Sequence, residues 1–262
     1  MSNRMMSSKI TKTIIGVIFG MTIAAGVMAA GNQRHAKDMD WSFEGVFGQY
    51  DRAALQRGLK VYQDVCASCH SLKYIAFRNL VDIGFSADEA LAIAANYQVT
   101  DGPDQFGDMF IRDGRLSDYF PLPFANEKAA RFANNGALPP DLSLLAKARA
   151  NGADYIYSVL TGYEDPPADW DPNSLMSYNP YFSGGAIAMM APLFDGFVDY
   201  ADGTEASVEQ MAADVTTFLY WAAEPKLEAR HKMGFKVLGF MLVLTIVLYF
   251  ANRKTWTEVN KK

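Results

Sequence analysis

Apolar residues recur at helical spacing along much of the chain. Leu55, Leu59, Tyr62 and Val65 predict a helix running from Asp51 into Cys69. Ser86-Ala-Asp-Glu89 is a capping box that opens a second helix, through about Asn96. Short helices are expected at 127–134 (stopped near Gly136), at 142–150 and at 154–161. Ser207-Val-Glu-Gln210 caps a longer helix that sets Met211, Val215, Phe218, Leu219 and Ala222 on one side. Between these lie two irregular stretches. Residues 101–123 are rich in Gly, Asp and Pro, and residues 164–192 hold five prolines. Alternation with period two is weak throughout, and no internal repeat occurs, so the fold class is mainly α.

Two apolar runs stand apart from this amphipathic pattern. Val237 to Ala251 carries no charge, and extending back to Met233 gives 19 residues with only Lys236 inside. At 1.5 Å per residue that run spans about 28 Å, the thickness of a bilayer's hydrocarbon core. Lys236 lies near its end and can snorkel to the interface. Pro225 separates this segment from the helix before it, with a continuous kinked helix as the alternative. The other run is N-terminal. Arg4, Lys9 and Lys12 precede apolar Ile14 to Met28, and Ala29, Ala30 and Gly31 offer a cleavage site. Residues 1–30 therefore read as a cleaved secretory signal, with an uncleaved membrane helix as the alternative. The remainder divides into an exported body at 31–225, a linker and transmembrane helix at 226–252, and a cytoplasmic tail at 253–262. Basic residues flank both ends of the helix, so the export signal sets the orientation. The body is expected in the periplasm of a bacterium, anchored in the inner membrane.

Charge sharpens the division. Residues 31–225 carry 13 Lys/Arg against 27 Asp/Glu, while each flanking segment is net positive. Such an acidic body repels phosphate, which excludes a nucleic-acid partner.

The chain has two cysteines, and both fall in Cys66-Ala67-Ser68-Cys69-His70. This is the C-x-x-C-H pattern of c-type haem attachment. Two thiols three apart at a helix end reach the two vinyl groups of one porphyrin, and the next residue brings an imidazole to the iron. A redox disulfide is the first alternative, but no βαβ pattern surrounds the motif. A zinc site is the second, and it needs more ligands than three histidines and one short cluster supply. A sixth ligand is approached by elimination. His35 follows the signal and His231 sits at the membrane edge, which favours methionine and a raised reduction potential. Thirteen methionines are present. Met189 and Met190 stand out in the loop Gly184-Gly-Ala-Ile-Ala-Met-Met-Ala-Pro192, and spacing leaves both open.

Beyond the motif, the sequence resembles the cytochrome c1 family, the bacterial-type haem subunit of the cytochrome bc1 complex. The resemblance covers nearly all of the exported part. It rests on CASCHSL (66–72), LSDYFP (116–121), ANNGALPPDLS (133–143), Thr161-Gly162-Tyr163, NPYF (179–182) and WAAEP (221–225). It implies a cytochrome c-like haem domain with long loop insertions and one C-terminal transmembrane helix. It also implies a single covalently bound haem c, with His70 and a methionine on the iron. The family's ligand loop laid without a gap selects Met189; anchored on Met-Ala-Pro it selects Met190. The ungapped fit makes Met189 the expected ligand. By the same resemblance Arg149 lies near a haem propionate, and Pro139, Pro140 and Tyr155 line the pocket. Some bacterial members carry a further disulfide, for which this chain has no cysteines left.

The implied function is one-electron transfer, from the Rieske iron–sulfur protein to a periplasmic c-type cytochrome. It takes place within a dimeric, proton-translocating quinol–cytochrome c oxidoreductase that also contains cytochrome b. No catalytic acid or base is expected in this chain itself. A haem enzyme with an open iron site, such as a peroxidase, and a cytochrome subunit of a terminal oxidase are the competing classes.

Overall fold

In the computed structural model, residues 33–168, 170 and 176–259 are described. The expected signal segment lies outside them, as does the end of the tail. The chain divides into two compact units, one made of residues up to His35 with Gly162–Met190, the other of Ala36–Thr161 with Ala191–Lys262.

The larger unit is built from six α-helices among the described residues: α1 (Arg52–Asp64), α2 (Ala87–Ala95), α3 (Glu127–Ala133), α4 (Gly152–Leu160), α5 (Val208–Ala223) and α6 (Leu227–Val259). Asp51 caps α1, its carboxylate accepting from the amides of Ala53 and Ala54. Leu55, Leu59 and Tyr62 recur at i, i+4 and i+7 and are fully buried, as are Met211, Val215 and Phe218 of α5. Gly58 sets how closely α1 and α5 approach, because a Cβ there would lie 2.1 Å from the Asp214 carbonyl oxygen. The same contact carries a bidentate ion pair. Arg57 Nε and Nη2 donate to Asp214 at 2.9 and 3.0 Å, and Asp214 is fully buried. Removing either partner would strand a charge at a cost of about 3–5 kcal/mol.

Ser86 and Glu89 form the reciprocal capping box expected of them, with Ser86 N donating to Glu89 Oε2 at 2.7 Å and Glu89 N to Ser86 Oγ at 3.2 Å. Ser207 caps α5 by accepting from Gln210 N. The helix does not continue through Pro225. Glu224 ends α5 in a non-helical conformation, and α6 begins two residues beyond the proline. Of α6, Leu227–Thr257 is a span of 31 residues whose most apolar window has mean hydropathy 2.1 and no buried residue, long enough to cross a membrane.

Three local expectations are corrected. The first helix stops at Asp64, and the cysteines sit on a separate tight turn, Cys66–Ser68. Residues 142–150 form successive turns rather than a helix. Their first amides are drawn elsewhere, Leu142 N to the Ser71 carbonyl at 2.9 Å and Ser143 N to Asp141 Oδ1 at 3.0 Å. The stretch 101–123 is not wholly irregular. β1 (Gln98–Asp101) pairs antiparallel with β2 (Phe110–Asp113), Gln98 opposite Asp113 and Asp101 opposite Phe110. No residue of either strand is fully buried, so neither needs the apolar–polar alternation of a half-buried strand. Arg112 holds the hairpin through Asp101 and Asp118.

The smaller unit is loop-rich. Its two-residue strands β3 (Ser177–Tyr178) and β4 (Ala186–Ile187) pair antiparallel. The turn between them uses Gly184 and Gly185 at φ +80° and +74°, a region other residues avoid. Buried Asn179 accepts from Tyr181 N at 3.1 Å, and Arg34 N donates to the Pro180 carbonyl at 2.8 Å.

Candidate haem site

At the end of α1 the chain tightens. Cys69 N and His70 N both donate to the Cys66 carbonyl, at 3.1 and 2.8 Å. The two thiols and the imidazole thus project from one turn. Cys66 and Cys69 are free thiols rather than a disulfide. Burial pushes the Cys66 thiol up to about 12, with Cys69 adding to the effect. Among the described residues, no group of three or more His, Cys, Asp or Glu side chains is placed to hold a metal ion.

His70 is oriented by a segment seventy residues away. Its Nδ1 lies 2.8 Å from the Pro140 carbonyl oxygen. A carbonyl only accepts, so Nδ1 carries the proton and Nε2 keeps its lone pair for a metal. Burial lowers the imidazole's affinity for a second proton, against opposing contributions from the Pro140 bond and Asp141. The Pro140 segment is itself fastened. Asp141 Oδ2 accepts from Ser71 Oγ at 2.7 Å and Lys73 N at 3.0 Å, and Ser143 Oγ accepts from Tyr74 N at 3.2 Å. Burial alone would raise the Asp141 carboxyl, but these donors and Ser143 hold it below the ordinary carboxylate value. From the other side, the buried Tyr62 hydroxyl donates to the His70 carbonyl at 3.2 Å.

Cys66, Cys69, His70 and Pro140 are therefore brought together within the larger unit. Tyr155 of α4 is partly buried and packs against the hydrophobic core. Arg149 is exposed, and its guanidinium donates to the Ala148 carbonyl at 3.0 Å. Met189 and Met190 belong to the smaller unit, directly after β4. There they differ. Met189 is half-buried and its carbonyl accepts from the Tyr163 hydroxyl at 3.1 Å, whereas Met190 is 78% exposed. Asp141, Ser143, Tyr62 and Tyr163 were given no role at the site from the sequence. Three of them stand inside the matching stretches ANNGALPPDLS and Thr161-Gly162-Tyr163, where the signal was available.

The donor set fits a c-type haem: two unpaired thiols on one turn and an imidazole whose Nε2 is left available by its own hydrogen bond. Together with a helical body and one apolar helix of membrane length, this is the layout of a membrane-anchored haem protein of electron transport.

Comparison with known proteins carries the assignment further. The model of the Cytochrome C1 family matches residues 41–259. The chain is 45% identical over 248 residues to "Cytochrome c1 1, heme protein, mitochondrial" of Arabidopsis thaliana, covering 94% of this chain and 81% of that one. It is 46% identical over 261 residues to cytochrome c1 of Rhodospirillum rubrum, covering 93% and 96%. With "Cytochrome b/c1" of Bradyrhizobium diazoefficiens it shares 46% identity over 268 residues, covering 90% of this chain and 39% of that protein. The chain belongs to the cytochrome c1 family. Membership implies electron transfer within the cytochrome bc1 complex.

Proposed function

We propose that this chain holds one covalently attached haem c and relays single electrons from the Rieske iron–sulfur protein to a periplasmic c-type cytochrome. Cys66 and Cys69 would form the thioether links, and His70 Nε2 and Met189 would ligate the iron. The haem, when bound, supplies one-electron oxidation and reduction. The protein residues hold and orient it: Pro140 fixes the imidazole tautomer, Asp141 and Ser143 fix Pro140, and Arg149 and Tyr155 border the haem. The observation that carries this reading is the His70–Pro140 hydrogen bond beside two free thiols on one turn.

Residues 1–30 act as a cleaved signal, 31–225 as the periplasmic domain, 226–252 as linker and anchor, and 253–262 as a cytoplasmic tail of a bacterial inner-membrane protein. Cytochrome b is the membrane partner, in a dimeric proton-translocating complex. The Bradyrhizobium relative, whose name joins b and c1, supports that pairing. The acidic body favours a basic soluble acceptor through complementary fields. Purification of the full-length protein in mild detergent tests the assignment. Copurification of b-type haem and a two-iron, two-sulfur cluster is expected; copurification of a copper- or haem-containing oxidase instead would replace it with the terminal-oxidase reading.

A further inference from the structure

Where α6 leaves the body, a cleft of about 220 Å³ opens between the start of that helix, the end of α5 and the segment leading into α1. Its walls include the apolar faces of Trp221 and Pro225, and its charged groups are Arg52, Asp82, Lys226, Glu228 and Lys232. Glu228 is already committed, accepting from Tyr50 N at 3.0 Å and from Arg52 Nη2 at 2.7 Å. Lys226 is 75% exposed and meets Asp82 only at 3.9 Å. The cleft's charge is net positive, three cations against two acids.

Immediately below, toward the uncharged stretch of α6, the surface turns apolar. Phe47 stacks on Phe235 with ring centroids 5.4 Å apart, yet Phe47 is 81% exposed, and its neighbour Val46 is exposed as well. Glu228, Lys232 and Phe235 follow one another at i, i+4 and i+7, so cleft and aromatic pair share a helix face. Depth fits this order. Lys232 lies five residues, about 7.5 Å, before Val237, where the uncharged run begins. The headgroup layer of one leaflet is about 5–7 Å thick. Counted from Met233 or from Val237, Lys232 falls between the inner and outer edges of that layer, and Lys226 reaches down toward it on its flexible stem.

We propose that this cleft seats the phosphodiester of one anionic phospholipid from the leaflet nearest the body, with its acyl chains running along α6 past Phe235 and Phe47. The bound lipid would hold the body at a fixed height on its anchor. The inference rests on α6 being embedded in a bilayer. An alkaline carbonate wash tests that separately, since release of the chain from membranes would sink the anchor itself.

The test uses full-length protein purified from membranes in mild detergent. Phosphatidylglycerol per chain is counted by mass spectrometry for wild type, for Lys226→Glu/Lys232→Glu and for Phe47→Ser. We expect about one phosphatidylglycerol fewer per chain in the double variant, faster lipid loss on washing in Phe47→Ser, and no displacement from wild type by millimolar inorganic phosphate. Equal counts in all three proteins would overturn the proposal. Displacement by inorganic phosphate would also overturn it, in favour of a small-anion site. An unchanged lipid count with loss of a copurifying membrane subunit would overturn it as well, making this face a protein contact.

Discussion

The imidazole of His70 and the backbone carbonyl of Pro140 lie 2.8 Å apart, so the histidine's tautomer is set by a main-chain atom seventy residues further along the chain. The consequence is testable because side chain and carbonyl are separable. Pro140→Ala keeps the carbonyl and should keep haem attachment and spectrum, losing only about 0.4–1 kcal/mol through the unfolded state. Asp141→Ala removes the acceptor that fastens this segment to Ser71, Lys73 and Ser143. It should cost about 3 kcal/mol at roughly 1 kcal/mol per lost hydrogen bond. Denaturant titration of both variants checks the order, and equal losses would contradict it.

The two adjacent methionines should behave differently. Met189 is half-buried with its backbone held by Tyr163, whereas Met190 points its side chain into solvent. Met189→Leu should abolish the low-spin, high-potential haem signature, and Met190→Leu should leave it nearly intact. Redox titration and optical spectra of the two variants decide the matter. Loss of the native spectrum in Met190→Leu alone would move the ligand by one residue.

Arg112 gives the β1–β2 hairpin a predictable acid response. Its hydrogen bonds hold both Asp101 and Asp118 below the ordinary carboxylate range. In the unfolded chain these groups titrate near pH 4. A depressed folded value means the stabilisation is complete above about pH 4 and drains away as pH falls further, through the lower folded values. Arg112→Gln should therefore melt below wild type at pH 7, and the gap in Tm should narrow as the pH falls below about 4. A gap independent of pH would assign the hairpin's stability to packing.

The anchor can be removed, but the position of the cut matters. Leu227 is buried, and Glu228 accepts from Tyr50 and Arg52, so the first turn of α6 belongs to the body. A chain stopped after Lys232 should be soluble and fold. One stopped after Glu224 loses those contacts and should melt several degrees lower, since about 2–4 °C corresponds to each kcal/mol in a domain of this size. Identical melting of the two truncations would show that α6 contributes nothing to the body.

The sequence made the helices legible wherever an apolar stripe and a cap coincided, as at Leu55-Leu59-Tyr62 behind Asp51 and at Met211-Val215-Phe218 behind Ser207. It misled at 142–150, where the apolar spacing is real: Leu142 and Ala146 are buried. There the amides bond to Ser71 and Asp141 instead of closing a helix. The β1–β2 hairpin left no apolar–polar alternation because no residue of either strand is fully buried. At the candidate site, the thiols and imidazole were visible in five consecutive letters. The Pro140 carbonyl was not, because a backbone acceptor has no letter of its own and its partner is remote in sequence.

The central claim is a haem bound through thioethers to Cys66 and Cys69 and ligated by His70. Its most direct measurement is the intact mass of the denatured, acid-acetone-extracted protein, for wild type and for Cys66→Ser/Cys69→Ser. The account predicts that the wild-type chain retains the mass of one haem and stains for haem after denaturing electrophoresis, and that the double variant does neither. A wild-type chain stripped of haem by extraction, at the mass of the bare polypeptide, would contradict it.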